Sequence, residues 1–263
     1  MKRFNNPIKD VGCLLFRCVS PLFDPRRFAL GVPRYIRFFR DMLRYARMTG
    51  AEQISLIDLY PIIHDKTTIT HFDKHYFYQD IWAFERVSER NPQRHIDIGS
   101  RVDFVGFLTA NKQKVIFVDI RPLQAQLPDL SQVRGDILHL PFADNSVMSL
   151  SCLHVAEHIG LGRYDDRLDP RGTEKACCEL SRVLGANGNL YFSLPVGIPR
   201  VCFNAHRVHS PAQIIDYFGG LDLIELAGVD DNGQFGRHRD VGALEKQSYA
   251  CGFFHFRKPD TLA

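Results

Sequence analysis

Two apolar runs separated by an acidic, glycine-bearing turn set the pattern of the chain. In the stretch RHIDIGSRVDFVGFLTANKQKVIFVD (94–119), Ile96 and Ile98 flank Asp97, and Gly99 and Ser100 follow. Phe104, Val105 and Leu108 then recur at helical spacing, and Val115–Val118 is continuously apolar up to Asp119. A run of that kind predicts a strand buried on both faces, which a parallel sheet flanked by helices requires. In such sheets a ligand lies beyond the carboxyl ends of the strands, where the strand order reverses. That crevice would hold the Gly99 turn, a helix N-terminus and the Asp119 carboxylate, an acid placed to accept hydrogen bonds from ribose hydroxyls. The stretch therefore predicts the nucleoside-binding half of an α/β domain.

The same patterning extends to both sides. Tyr76–Arg90 predicts a helix with Phe77, Ile81, Phe84 and Ser88 on one face, Tyr78 and Trp82 beside it, and a stop at Asn91-Pro92. These aromatics suit either ordinary core packing or a cap over the nucleoside pocket. Beyond a polar connection (121–131), a short strand is expected at Val133-Arg134, a stop at Gly135-Asp136, and a strand of about seven residues at Val147–Leu153. A charged, glycine-rich loop (160–172) is placed as a lid or substrate loop. A helix N-capped by Thr173 and stopped by Gly185 follows. After it come a turn at 186–189, a strand Leu190–Leu194 ended by Pro195, and a loop (197–210). A helix opened by Ser210-Pro211, a strand Leu221–Ala227, a polar insertion (229–247) and a final strand Tyr249–Arg257 complete the plan. Residues 1–50 read as two helical pieces around Pro21, Pro25 and Pro33. The second, 34–48, places Ile36, Phe39, Leu43 and Ala46 on one face and Arg37, Arg40, Arg44 and Arg47 between them. Residues 51–75 lack periodicity. The division is thus a basic, largely helical N-terminal arm or cap (1–74) and an α/β domain (75–263).

Charge sharpens this picture. Residues 1–50 hold 11 Lys and Arg against 3 Asp and Glu, whereas the remainder holds 22 against 27, so the net charge of +3 conceals a basic arm on an acidic domain. The arm's basic face is either solvated, with the apolar side packed on the domain, or in contact with an anionic membrane surface or a polyanionic substrate. No helix-turn-helix, zinc-finger or RNA-recognition signature supports a nucleic-acid partner. Seven cysteines without Cys-x-x-Cys spacing make neither a disulfide framework nor a zinc finger and point to a reducing compartment. Cys177 and Cys178 are expected as small buried residues. No run is long enough to span a membrane, and Arg17 interrupts the apolar N-terminal stretch, which is expected to stay uncleaved. The expected location is cytoplasmic, with peripheral contact at the inner face of the membrane as the variant.

From Asp97 to Lys258 the chain resembles the class I S-adenosylmethionine-dependent methyltransferases. The resemblance rests on Asp97-x-Gly99, Asp119, Gly135-Asp136 with Leu140-Pro141-Phe142, the His154–His158 segment, and SRVLGANGNLYFSLP (181–195). EHIGLGRY (157–164) and FNAHRVHSP (203–211) are similar to a narrower methyltransferase-like group known as domain of unknown function number 268. The resemblance implies a Rossmann-like seven-stranded sheet, mostly parallel with an antiparallel last strand, with S-adenosylmethionine as cofactor. It places Asp97, Gly99 and Ser100 at the methionine end, Asp119 on the ribose, Asp136 on the adenine amino group and Ile137 beside the ring. Arg101 and Asp103 stand where the family carries glycines, so they either crowd the ligand's amino-acid tail or, through Arg101, pair with its carboxylate.

The acceptor chemistry falls to His154, Glu157 and His158, whose i, i+3, i+4 spacing puts them near one face of a helical turn. An oxygen acceptor needs its proton taken by a base or labilised by a cation. His154 or His158 would serve as the base. Alternatively Glu157, His158 and His206 would hold a divalent metal, as the resemblance to metal-dependent O-methyltransferases implies; imidazoles favour zinc, iron or manganese over magnesium. The expected substrate is a sugar, glycan or other polar small molecule methylated on a hydroxyl. The competing expectation is a non-catalytic binding or scaffold module.

Overall fold

The computed structural model describes residues 24–260, together with Gly12, Leu15, Phe16 and Val19. The expected first helical piece and uncleaved N-terminus fall largely outside the described residues. Two compact units meet between Phe72 and Asp73. In the first, helix α1 (Pro25–Tyr45) is continuous, with Pro33 inside it. The sequence pattern had broken the helix at that proline; the turns on either side carry it across the one forfeited backbone bond. Residues 46–72 carry only a short 3₁₀ turn, Leu56–Asp58.

The second unit is built on one sheet. Helix α2 (Lys74–Arg90) is N-capped by Asp73, whose carboxylate accepts the amides of His75 and Tyr76, and ends at Asn91 in a left-handed conformation. The strands are β1 (His95–Ile98), β2 (Val115–Asp119), β3 (Leu130–Arg134), β4 (Val147–Leu153), β5 (Leu184–Val196), β8 (Asp222–Val229), β9 (Phe235–Gly236) and β10 (Ala250–Arg257), with β6 (Arg200–Cys202) and β7 (His206–Val208) forming a separate hairpin. Helices α3 (Val102–Ala110), α4 (Gly172–Val183), α5 (Pro211–Tyr217) and α6 (Val241–Glu245) connect them. The sheet order among the described residues is β3-β2-β1-β4-β5-β10-β8-β9. Strands β1 to β5 pair in parallel, and β10 runs antiparallel to both β5 and β8. This is the expected Rossmann-like sheet, with the two-residue β9 as an added edge. The order reverses between β1 and β4, which opens the crevice at their carboxyl ends.

The buried stripe of α2 is Gln79, Trp82, Ala83 and Val87, rotated from the expected face; Phe77 and Ile81 are 48% and 42% exposed. Trp82 packs at ring-centroid distances of 5.6 Å from Phe253 and 6.1 Å from Tyr191. A polar residue in the stripe disguised it: Gln79 is fully buried because its amide is satisfied by Asp80, Ser193 and His154.

Other boundaries moved for similar local reasons. The expected turn at 186–189 is a bulge inside β5. Val147 pairs with Leu184 but Ser149 with Asn189, and Asn187 takes a left-handed conformation (φ 60°). Pro195 lies within β5 opposite Cys251, beyond the residues that pair with β4. Thr173 is a buried residue of α4 whose hydroxyl donates to the Ala156 carbonyl (2.9 Å), and Arg171 takes the cap position. Cys177 is buried but Cys178 is exposed, since neighbours on a helix point about 100° apart.

Candidate active site

The crevice outside β1, β2 and β4 is a cleft of about 570 Å³, within the roughly 300–1,000 Å³ typical of cofactor sites. Gly99, Asp119, Asp136 and Ile137 all line it. Gly99 has φ +65°, and a Cβ there would lie 3.4 Å from both γ-methyls of Val155 and 3.7 Å from Asp119 Oδ2, so glycine keeps the turn open toward the acid. Asp136 Oδ1 accepts the Leu138 amide at 2.9 Å, which fixes the carboxylate at the rim. Asp119 Oδ1 accepts the backbone amide of Arg121 at 2.8 Å, and the Arg121 side chain pairs with the same carboxylate.

Asp97 and Ser100 lie beneath the cleft. The Asp97 carboxylate is fully buried, accepts the Ser100 amide at 3.1 Å and the Ser151 hydroxyl, and is pushed by burial up to about 7. Ser100 Oγ accepts the Leu153 amide at 3.1 Å, stitching the turn to β4. Arg101 and Asp103 are not among the residues that line the cleft: they pair with each other at 2.6 Å, 46% and 63% exposed at their side chains, and the Arg101 guanidinium lies 5.2 Å from the Tyr76 ring centre.

His154, Glu157 and His158 do not share one helical face. His154 closes β4 in a left-handed conformation (φ 57°), and only Ala156–His158 forms a 3₁₀ turn, yet His154 and His158 both line the cleft. His154 Nδ1 donates to Gln79 Oε1 at 2.6 Å, and its ring lies 4.7 Å from that of Tyr76. His158 Nδ1 donates to the Ala205 carbonyl at 2.6 Å and presents Nε2 3.7 Å from Glu157 Oε1. Both Glu157 oxygens are buried without a hydrogen-bond partner, and burial raises this carboxyl to about 8. Burial holds His158 down to about 4 and His154 well below its ordinary value, so both imidazoles are neutral at pH 7.

Glu157 and His158 thus come together, but His206 is not gathered with them; its ring packs 5.3 Å from Tyr249. Among the described residues, the cluster whose ligand atoms all fall within 4.8 Å of one another is instead His75, His154 and Cys251. The residues that sequence reasoning missed here, His75, Gln79, Tyr249 and Cys251, come from α2 and the end of the chain, and no local motif marks them.

A second cleft of about 610 Å³ adjoins the first, lined by Asp73, Lys74, His75, Tyr76, Asp230–Gly233, Ser248 and Tyr249. His154 lines both clefts, and no other residue does. The loop between the Ala156–His158 turn and α4 is tied down by side chains. Buried Arg207 donates to the Ile159 and Asp169 carbonyls (2.5 and 2.9 Å), and Tyr164 carries the Arg121 and Arg163 guanidinium groups at 5.0 and 5.1 Å from its ring centre.

Residues 141–240 match the family model described as "Caenorhabditis protein of unknown function, DUF268". No curated protein matches the sequence. Among solved structures, a putative sarcosine dimethylglycine methyltransferase from Galdieria sulphuraria aligns with a TM-score of 0.51 at 15% identity, covering 70% of this chain and 86% of that one. The YcgJ protein from Bacillus subtilis aligns with a TM-score of 0.50 at 13% identity, covering 70% and 99%. The N-methyltransferase NodS from Bradyrhizobium japonicum, in complex with S-adenosylhomocysteine, aligns with a TM-score of 0.46 at 15% identity, covering 70% and 88%. With the sheet order, the two likenesses at TM-scores of 0.51 and 0.50 show that the chain has a Rossmann-like α/β fold of the kind found in the putative Galdieria methyltransferase.

Proposed function

We propose that this protein transfers a methyl group from S-adenosylmethionine to a hydroxyl of a polar small molecule or glycan. The observation that supports this reading is the single shared wall: His154 lines both the cleft at the ends of β1, β2 and β4 and a second cleft of similar size. Methyl transfer needs the donor methyl and the nucleophile held in line, and alignment supplies much of the rate. Gly99, Asp119, Asp136 and Ile137 would hold the cofactor, with Asp97 and Ser100 fixing the turn beneath it. The cofactor supplies an electrophilic methyl group on a sulfonium. His154, with Nδ1 committed to Gln79, keeps a lone pair on Nε2 that would receive the acceptor's proton as the methyl group transfers. The polar lining of the second cleft suits a hydroxylated substrate.

Calorimetry of the full chain with S-adenosylmethionine and S-adenosylhomocysteine tests this. Heat of binding with an affinity that Asp119→Ala weakens supports it; folded protein that gives no heat ends it.

The N-terminal unit carries a second element of the reading, peripheral contact with an anionic membrane. Ile36, Phe39 and Leu43 of α1 are 67%, 46% and 51% exposed, with Arg37, Arg40 and Arg44 interleaved. Apolar side chains flanked by arginines on one helix suit the boundary between headgroups and acyl chains. No helix among the described residues is long and apolar enough to cross a membrane.

A further inference from the structure

We propose that His75, His154 and Cys251 form a zinc site on the wall of the second cleft, with one coordination position left open to that cleft. The three residues come from different elements: the first turn of α2, the corner after β4, and the second residue of β10. Cys251 Sγ lies 3.7 Å from His154 Nε2 and 3.8 Å from Nδ1, the two imidazoles have ring centres 6.1 Å apart, and all three ligand atoms lie within 4.8 Å of one another. Zinc bonds of about 2.3 Å to sulfur and about 2.0 Å to nitrogen give tetrahedral ligand separations of roughly 3.3–3.8 Å. The sulfur stands at that distance from His154 Nε2 but is almost as near Nδ1, so it lies beside the ring and a turn of the imidazole would bring the Nε2 lone pair toward it. Drawing His75 in by about 1 Å, a side-chain rotation, completes the set.

The surroundings suit metal binding. Gln79 is held by its own amide donating to Asp80 at 3.0 Å, so its Oε1 faces His154 and keeps the proton on Nδ1. This leaves Nε2 as the ligand nitrogen, the arrangement by which a metal-bound histidine donates its other N–H to a carbonyl. Cys251 is fully buried, whereas His75 and His154 both line the cleft, so the free position is on the cleft side. One sulfur and two imidazoles suit zinc and are poor ligands for magnesium or calcium. On binding, the Cys251 S–H bond breaks, its proton passes to solvent and the thiolate bonds to the metal; no oxidation state changes. The open position would take an acceptor oxygen or sulfur and lower its pKa, with the ion then replacing the free His154 lone pair as the activating group. That use rests on the methyl-transfer reading, but the site does not.

Metal content measured on the full chain tests the site without reference to activity. Chain purified, stripped with chelator, reloaded with zinc and gel-filtered is expected to retain about one zinc per chain. His75→Ala and Cys251→Ser are each expected to lose most of it, while Cys178→Ser, altered at an exposed thiol elsewhere, retains it. Cobalt in place of zinc is expected to give a thiolate-to-cobalt absorption band that Cys251→Ser abolishes, a readout that needs only enough folded protein for a spectrum. Absence of zinc from the reloaded chain, or equal retention by His75→Ala and Cys251→Ser, would overturn the site. Either result leaves binding of the adenosyl ligand, measured separately by calorimetry, as it was.

Discussion

Arg121 forks onto both carboxylate oxygens of Asp119, with Nε 3.1 Å from Oδ1 and Nη2 3.1 Å from Oδ2. The same guanidinium carbon lies 5.0 Å from the ring centre of Tyr164 in the loop beyond β4. The acid proposed for the ribose hydroxyls therefore already has a partner, which an adenosyl ligand would share or displace. The Arg121 side chain is 65% exposed, so the pair is worth only about 0.2–1 kcal/mol. Arg121→Ala is expected to tighten S-adenosylhomocysteine binding by roughly two- to fivefold. Asp119→Ala, which removes charge-assisted hydrogen bonds of about 1.5–3 kcal/mol, is expected to weaken it by roughly ten- to a hundredfold. Calorimetric titration of the two variants reads both, and weaker binding in Arg121→Ala would show instead that the arginine helps hold the ligand.

Gly99→Ala joins a backbone cost to a steric one. A Cβ in the left-handed region costs about 1–2 kcal/mol, and here it would also project between Val155 and Asp119. Urea denaturation is expected to show a loss of that size, together with weakened ligand binding. Normal affinity in the alanine variant would place the ligand elsewhere than against this turn.

Glu157 gives the fold a signed pH dependence. Its pKa in the folded chain, about 8, lies above the ordinary 4.5, so between those values the folded state keeps a proton that the unfolded state has released. Its contribution is complete below the lower value and is lost as pH rises through the higher one. Asp97, raised to about 7 from 3.8, has the same sign, while the buried histidines act in the opposite sense in acid. The difference between wild type and Glu157→Gln isolates Glu157. The variant is expected to gain on the wild type by up to a few kcal/mol, on the order of 1–4, between about pH 5 and pH 9 in urea denaturation. A difference independent of pH would mean that the carboxylate is ionised and paired in the folded protein.

Arg207 holds the loop after β4 by two hydrogen bonds to backbone carbonyls from a buried position. Truncation strands both carbonyls and the space of the side chain. Arg207→Ala is expected to cost about 2–4 kcal/mol and to expose Arg163 and Arg167 to trypsin before the rest of the domain. Limited proteolysis with mass detection reads the order of cleavage; first cleavage in another segment would show that Arg207 does not restrain this loop.

On α1, Ile36→Asp with Phe39→Asp is expected to reduce cosedimentation with anionic vesicles at least about tenfold, and raised salt to reduce it further. Equal sedimentation of wild type and variant would remove the membrane from the account of this helix.

The sequence by itself determined the sheet. Apolar runs at Val115–Val118 and Val147–Leu153 can be satisfied only between helices, and Gly99, Asp119 and Gly135-Asp136 mark the ends of strands that must open on one crevice. These are short-range signals, set by burial and by turns within a few residues. What it did not reveal was which face of α2 is buried, because Gln79 is made compatible with the core by partners on β4 and β5 distant in the chain. The spacing of His154, Glu157 and His158 suggested one face of a helix, but His154 is left-handed and only Ala156–His158 forms a turn. Only the tertiary structure brought His75 and Cys251 beside His154 and made that residue the boundary between two clefts. The reason is physical: period and composition report how one element meets its surroundings. A site assembled from α2, β4 and β10 depends on how the sheet closes, and no local stretch of sequence carries that information.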